Sequence, residues 1–382
     1  MPKVRLITNM CTHYRVKLFE YLNEKLDIDF IFFSEGNETY WNKKIPLQKG
    51  NFKSISLKGI NIGKKLRIVP SLISILLFDN SKVIIKCING RFALPVTFLI
   101  SKLRKKKFIL WTGMWEHPST IFHKLSFPLT KLIYKYSDAI VVYGTHVKDY
   151  LISLGVEPEK IFIGWQTIDN NKFNKLVDNE TISLVRKNLK VDSHEKIVLT
   201  IARLVKEKGI QYLIEAIHQL ENENLHLVVV GNGPLERELL KLSKDLSVKL
   251  TILNYVPNDE IINYIAACDL FVLPSVSTKT FKEPWGLVVN EVMNQSKPIV
   301  VTDAVGAGVG GLIDNNKNGI VVPERNSYEL SRAIFKIITN ENFAKMLGGN
   351  AKKTIEGWTY DRMGEQFIEA IKYVSSDYLS SK

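Results

Sequence analysis

The chain has 382 residues, 45% hydrophobic, 24% charged and 10% aromatic, a balance that excludes disordered, collagen-like and disulfide-scaffold proteins. One core stops growing near about 250–300 residues, so two domains are expected, with the working site in a cleft between them. The formal net charge of +13 sits in one half: residues 1–180 carry 28 Lys and Arg against 15 Asp and Glu, and residues 181–382 carry 24 against 24. A basic half beside a neutral one suits an anionic membrane surface, a phosphorylated acceptor or nucleic acid, and simple solubility accounts for it as well. Cys11, Cys87 and Cys268 lie far apart with no metal-ligand spacing, so neither a zinc site nor a disulfide framework is indicated and a cytoplasmic setting fits.

Short β-branched runs alternate with amphipathic segments from end to end, the pattern of βαβ units in parallel sheets covered on both faces. In the first half the expected strands are 4–8, 28–33, 83–88, 108–111 and 139–142. Asp27 and Asp29, at the edge of the second of these, read as ordinary surface. The apolar stretch 68–78 is too short to span a bilayer. Two basic clusters, Lys64-Lys65-Leu66-Arg67 before that stretch and Lys102-Leu103-Arg104-Lys105-Lys106-Lys107, have apolar neighbours, as on a protein lying peripherally on an anionic membrane. A buried helix with solvated lysine ends explains them equally. Nucleic acid is disfavoured, since no exposed aromatics interleave with the charges. Residues 168–195 are polar and read as a linker with a short helical patch. The second half repeats the alternation, with strands expected at 197–201, 225–230, 250–253, 270–274, 298–301 and 320–322. Met363, Phe367, Ile371 and Val374 then recur at helical spacing over 360–374.

The chemistry concentrates at strand ends of the second half. A buried strand ends at Pro274-Ser275, and after a loop comes Glu283-Pro284-Trp285-Gly286-Leu287-Val288-Val289-Asn290-Glu291, with a helix expected from Trp285-Gly286. Open α/β sheets bind ligands outside the carboxyl ends of their strands, and unsatisfied amides at a helix start attract phosphate. Gly286 and Leu287 would line that mouth, and Glu283 and Glu291, the latter about one and a half turns into the helix, would reach opposite ends of a ligand lying across it. Arg203 and Lys208, in the loop after the strand 197–201, would flank the same crevice and neutralise a diphosphate. The turn Gly231-Asn232-Gly233-Pro234 suits a nucleotide, although a need for positive φ explains it too. Asn254-Tyr255-Val256 follows the next strand, placing Tyr255 and Val256 near a nucleotide base.

Taken in order, the Arg203–Gly209 loop, the 231–234 turn, the strand ending in Pro274-Ser275, the stretch 283–291, a glycine-rich loop at 306–311 and Asn318-Gly319-Ile320-Val321-Val322-Pro323 resemble the nucleotide-sugar half of retaining GT-B glycosyltransferases of the large fourth family. The resemblance implies two Rossmann-like doubly wound α/β domains facing a cleft. Residues 1–170 would form the acceptor-binding domain, joined by a helix over 360–382 that crosses back, and residues 171–359 the donor domain. It further implies that Glu283 contacts the donor sugar, Glu291 the ribose, and Arg203 and Lys208 the diphosphate, without a metal or other cofactor. The family often places a histidine facing the reacting sugar, a role that falls on His117; His13 is a weaker candidate for acceptor contact. In place of the family's first glycine-rich loop stands Thr8-Asn9-Met10-Cys11-Thr12-His13-Tyr14-Arg15, and residues 276–282 appear as an insertion beside the sugar pocket.

The expectation is a retaining glycosyltransferase moving a sugar from a UDP- or GDP-sugar to a hydroxyl of a glycan or lipid-linked acceptor, as in cell-surface polysaccharide or glycolipid synthesis. A sugar-nucleotide epimerase or a non-catalytic nucleotide-sugar-binding partner of a transferase would use the same sheets.

Overall fold

The structure is a computed structural model that describes residues 2–36, 47, 49–63, 66–221 and 224–379. The chain divides into two compact units, residues 1–167 with 360–382 and residues 168–359.

The first unit holds strands β1 (Val4–Thr8), β2 (Ile28–Phe32), β3 (Ser54–Ser56), β4 (Ile60–Ile62), β5 (Leu66–Ile68), β6 (Val83–Cys87), β7 (Lys107–Thr112), β8 (Ala139–Val142) and β9 (Ile161–Ile163). Its helices are α1 (Val16–Lys25), α2 (Pro70–Phe78), α3 (Ala93–Leu103), α4 (Ile121–Tyr136) and α5 (Thr145–Ser153). Seven strands make a parallel sheet in the order β3-β2-β1-β6-β7-β8-β9, while β4 and β5 form a separate antiparallel hairpin. Alternate residues of each strand serve opposite layers, as the period of two requires. Leu6, Phe30, Ile85 and Trp111 pack with α1 and with the helix that starts at Tyr360, and Ile7, Ile31, Ile84 and Leu110 pack with α2, α3 and α5.

The second unit begins with α6 (Asn170–Phe173) and α7 (Asn179–Asn188), continues through β10 (Lys196–Ile201), α8 (Ile210–His218), β11 (Leu225–Val230), α9 (Glu236–Asp245), β12 (Leu250–Leu253), α10 (Ile261–Ala267), β13 (Leu270–Leu273) and α11 (Val288–Asn294), and ends with β14 (Ile299–Thr302), α12 (Gly306–Val309), β15 (Ile320–Val322), α13 (Ser327–Ile338) and α14 (Glu341–Glu356). Its parallel sheet runs β12-β11-β10-β13-β14-β15. Sequence order therefore reverses between β10 and β13, the place where open sheets leave a crevice at their carboxyl ends. The helix α15 (Tyr360–Leu379) returns to the first unit, setting Phe367 edge-on to Trp111 at 5.2 Å and burying Ile371 against the same layer.

Several sequence expectations change. The supposed linker contains α6 and α7, and both belong to the second unit. Asp178 caps α7 by accepting from the Thr181 amide at 2.7 Å, and Val185 and Leu189 are buried, so this segment is an amphipathic helix with a polar outer face. The run 101–107 is not a free basic patch: Lys106 is buried on Asp79 at 3.0 Å and Lys102 pairs with Asp138 at 2.7 Å, leaving Arg104 and Lys105 exposed. Asp29 is buried rather than superficial, held by Arg5 at 3.2 Å and Lys3 at 3.3 Å. Lys64 and Lys65 lie outside the described residues. Among the described residues no helix is long and apolar enough to cross a membrane.

Candidate functional site

In the second unit the loops leaving β10, β11, β12 and β13 are stitched together at one end of the sheet. The Leu204 amide donates to the Asn232 carbonyl at 2.9 Å, Asn232 Nδ2 to the Asn254 carbonyl at 2.9 Å, and the Val276 amide to the Glu207 carbonyl at 2.9 Å. Gly209 permits the last of these junctions. It sits at φ +61°, and a Cβ there would collide with the Pro274 carbonyl.

This stitching brings Lys208, after β10, onto Glu283, after β13, across the topological switch. The two form an ion pair with both side chains largely buried, and Ser275 Oγ donates to the same carboxylate oxygen at 3.1 Å. The Lys208 ammonium also stands 5.7 Å from the Phe281 ring. Behind the pair, the Glu283 and Trp285 carbonyls accept from the Gly306 and Ala307 amides at 3.1 and 2.7 Å, fixing the segment against the loop after β14. Trp285 is buried and donates from its indole to Asn290 Oδ1 at 2.9 Å.

The helix α11 starts at Val288, three residues later than expected, because Gly286 takes φ +91° and Trp285 is pinned to Asn290. Glu291 consequently lies in the first turn of α11 rather than one and a half turns inside it. With seven residues the helix offers little dipole, so the charge of the site rests on side chains. Among the described residues the Glu291 side chain makes no hydrogen bond or ion pair, while its amide donates to the Leu287 carbonyl at 3.4 Å. Burial pushes its carboxyl up to about 7, with Lys172 of α6 drawing it partly back. Arg203 stands at the same sheet end but is half-exposed and reaches Glu207 at 3.4 Å rather than the Lys208–Glu283 pair. Tyr255 is exposed and Val256 buried after β12, and Gly233 packs its turn against the Leu204 backbone.

Two residues that the sequence did not single out shape the rim. Glu324 accepts from the Ser277 amide at 2.6 Å, and Arg325, with φ at +59°, donates to the Ser277 carbonyl and to Tyr212 Oη at 3.3 Å. They strap down the stretch 276–282, and no local sequence signal marks them because their partners lie far along the chain.

In the first unit, His117 follows β7. Its Nε2–H donates to the His123 carbonyl at 2.9 Å, and its ring lies 4.5 Å from Phe127. It lines a cavity of about 310 Å³ between α3 and α4 with Arg91, Leu94, Met114 and Phe122. His13 is exposed in a single turn of 3₁₀ helix, its ring edge-on to Tyr14.

Residues 182–354, from within α7 to α14, match the family glycosyl transferases group 1. The match takes in nearly the whole of the second unit, which is similar to group 1 glycosyltransferases. Over 265 residues the chain is 28% identical to an uncharacterised glycosyltransferase of Methanocaldococcus jannaschii, covering 68% of this chain and 65% of that protein. Over 157 residues it is 32% identical to a putative teichuronic acid biosynthesis glycosyltransferase, TuaC of Bacillus subtilis, covering 41% of this chain and 36% of the relative. The chain thus spans less than two thirds of the length of these curated relatives. Among solved structures, Anabaena HepE in complex with UDP superposes with a TM-score of 0.75 at 18% identity, covering 97% of this chain and 99% of the other. The fold is GT-B, built from two Rossmann-like units. Within the second unit, the structure brings Lys208 and Glu283 together directly, and sets Glu291 and Arg203 at the same sheet end.

Proposed function

We propose that the chain is a retaining glycosyltransferase that takes its sugar from a nucleoside-diphosphate donor bound at the β10/β13 switch. The observation that carries this reading is the buried Lys208–Glu283 pair at the crevice, with the unpartnered carboxylate of Glu291 one turn into the next helix. Lys208 and Arg203 hold the diphosphate. Glu283, fixed by Lys208 and Ser275, faces the donor sugar, and Glu291 accepts from the ribose hydroxyls, a use that explains why so poorly solvated a carboxyl is tolerated. Gly286, Leu287 and Gly233 let backbone approach the nucleotide, whose base lies toward Tyr255 and Val256.

In the reaction the bond between the anomeric carbon and the β-phosphate oxygen breaks as negative charge grows on the leaving diphosphate, which Lys208 and Arg203 stabilise. The acceptor hydroxyl attacks from the face the phosphate leaves, so the anomeric configuration is kept, and its proton passes to a leaving-phosphate oxygen. His117 is assigned to acceptor-side positioning. The acceptor is a hydroxyl of a glycan or lipid-linked sugar in cell-surface polysaccharide synthesis, the activity class for which the Bacillus subtilis relative is named. No metal or cofactor takes part in this scheme.

Glu291→Ala and Arg203→Ala should each abolish donor hydrolysis and transfer in a protein that still melts cooperatively; unchanged turnover in either overturns the assignment. A thermal-shift screen with UDP- and GDP-sugars identifies the donor, since a ligand bound only to the folded state raises the melting temperature. UDP-sugars form its first arm because the solved HepE structure carries UDP.

A further inference from the structure

The helix α4 is built as few helices of a globular unit are. Ile121, Phe122 and Leu125 are 74–76% exposed, and Leu129, Leu132 and Tyr136 are about half exposed. At about 100° per residue these six fall within an arc of about 100°. Lys124, Lys131 and Lys135, all exposed, occupy the adjoining arc, and the sixteen residues of α4 include no Asp or Glu. The helix is anchored through Tyr134 on the opposite side and Ile133 beside the stripe's edge, both fully buried against the sheet. The neighbouring α3 adds exposed Leu99 and Leu103, with exposed Arg104 and Lys105 just beyond.

A helix hydrophobic on the side away from its own core buries that side against something else. The chemistry of the two arcs selects what. A protein partner would leave the lysine row in need of an acidic surface matched to it residue by residue. A bilayer with anionic headgroups needs no such match, because apolar side chains enter the acyl boundary while flanking lysines reach the phosphates. The unit itself is strongly basic: residues 1–167 and 360–382 carry 29 Lys and Arg against 16 Asp and Glu, and 29 − 16 gives the entire net charge of +13. Phe122 and Leu129 also line the cavity of about 310 Å³ between α3 and α4, so the exposed face continues into a mostly apolar recess able to receive part of an acyl chain.

We infer that α4, with the end of α3, seats the first unit on an anionic lipid surface. Within the basic run at 101–107, Lys102 and Lys106 are taken by internal ion pairs, whereas α4 carries an apolar stripe and a row of exposed lysines together. The inference goes beyond the proposed transfer reaction and is tested without any sugar.

Co-sedimentation of the full chain with phosphatidylcholine vesicles, with and without phosphatidylglycerol, reads the binding. Anionic vesicles should bind at least about tenfold more tightly than neutral ones, with the difference shrinking as salt is raised. Ile121→Ser/Leu125→Ser and Lys124→Gln/Lys131→Gln/Lys135→Gln should each weaken binding to anionic vesicles by about tenfold or more, while Leu176→Ser, an exposed change in the second unit, leaves it unchanged. Because the changed side chains point to solvent, melting temperatures should not fall. The inference is overturned by equal partition to both vesicle types, by α4 variants that bind as the parent does, or by sedimentation equilibrium showing that Leu125→Ser breaks a dimer in a chain that ignores vesicles.

Discussion

The two sheets share one strand order up to their switch points and use them in opposite ways. In the second unit the crevice between β10 and β13 holds Lys208 against Glu283 and leaves Glu291 without a partner. In the first unit the corresponding place between β1 and β6 is filled by the unit's own side chains. Asn89 Nδ2 donates to Asn9 Oδ1 at 2.7 Å, and the buried Lys86 ammonium donates to the Cys87 and Asn89 carbonyls at 2.5 and 2.7 Å. Arg15 lies 4.5 Å over the Trp111 ring and donates to Thr8 Oγ1 at 3.0 Å. Topology supplies a crevice twice; in the second unit it leaves the Glu291 carboxyl without a partner, and in the first it is crossed by side-chain hydrogen bonds.

The sharpest way to break this contrast is Lys208→Gln. Loss of a preorganised charge at the leaving phosphate typically costs about 2.7–4 kcal/mol, so kcat/KM for donor hydrolysis should fall by about 10²–10³. Lys86→Met, at the other crevice, should leave the donor-induced thermal shift intact.

Next in size come two opposite pH slopes. Lys86 has its pKa lowered by burial from 10.5 to about 7. Between those values the unfolded chain binds the extra proton, so this contribution to stability grows as pH rises from 7 toward 10.5, by on the order of 2–4 kcal/mol. Glu291 is raised from 4.5 to about 7. There the folded state holds the proton, so stability is greatest below pH 4.5 and declines as pH rises through 7, by about 1–3 kcal/mol. Hydrogen exchange resolved by unit should show the first unit strengthening over the alkaline range and the second weakening over the acidic one. Lys86→Met and Glu291→Gln should each flatten one slope, and the Gln variant should melt higher than the parent at pH 8 while binding donor less well. If both units follow the same pH trend, the contrast fails.

A smaller effect is expected from the rim. Arg325→Ala frees the strap on residues 276–282, and the donor KM should rise a few-fold with kcat nearly unchanged, measured beside the parent over a panel of donor sugars. The smallest is none at all: a chelator should leave transfer within error of its untreated rate.

The layered α/β fold was legible because a buried parallel strand has to be a compact apolar run, and Ile140-Val141-Val142 or Leu227-Val228-Val229 can be little else. The three-residue strands β3, β4, β5 and β9 escaped, since Ser54-Ile55-Ser56 has no periodicity of its own and pairs only because β2 presents an edge. At the site, the stretch 283–291 announced its residues but not their spacing, which depends on a glycine at φ +91° and an indole hydrogen bond. Side-chain partners were hardest to foresee. Lys106 and Asp29 looked like solvated charge, and their ion-pair partners Asp79 and Arg5 lie well away in the chain. Arg203 looked like a partner of Lys208, although Glu207, four residues on, was already placed to take it.

The placement of α15 has a consequence for biogenesis. The first unit is discontinuous, interrupted in the gene order by the whole second unit, so Trp111 and its layer emerge from the ribosome long before Phe367 and Ile371 arrive to cover them. Native closure of the amino-terminal sheet therefore waits on contacts of very long sequence separation, a slow step during which a greasy flank stays open to misassembly. Nascent chains stalled before Tyr360 should lean on a holdase, and supplying the helix as a separate peptide should relieve that dependence.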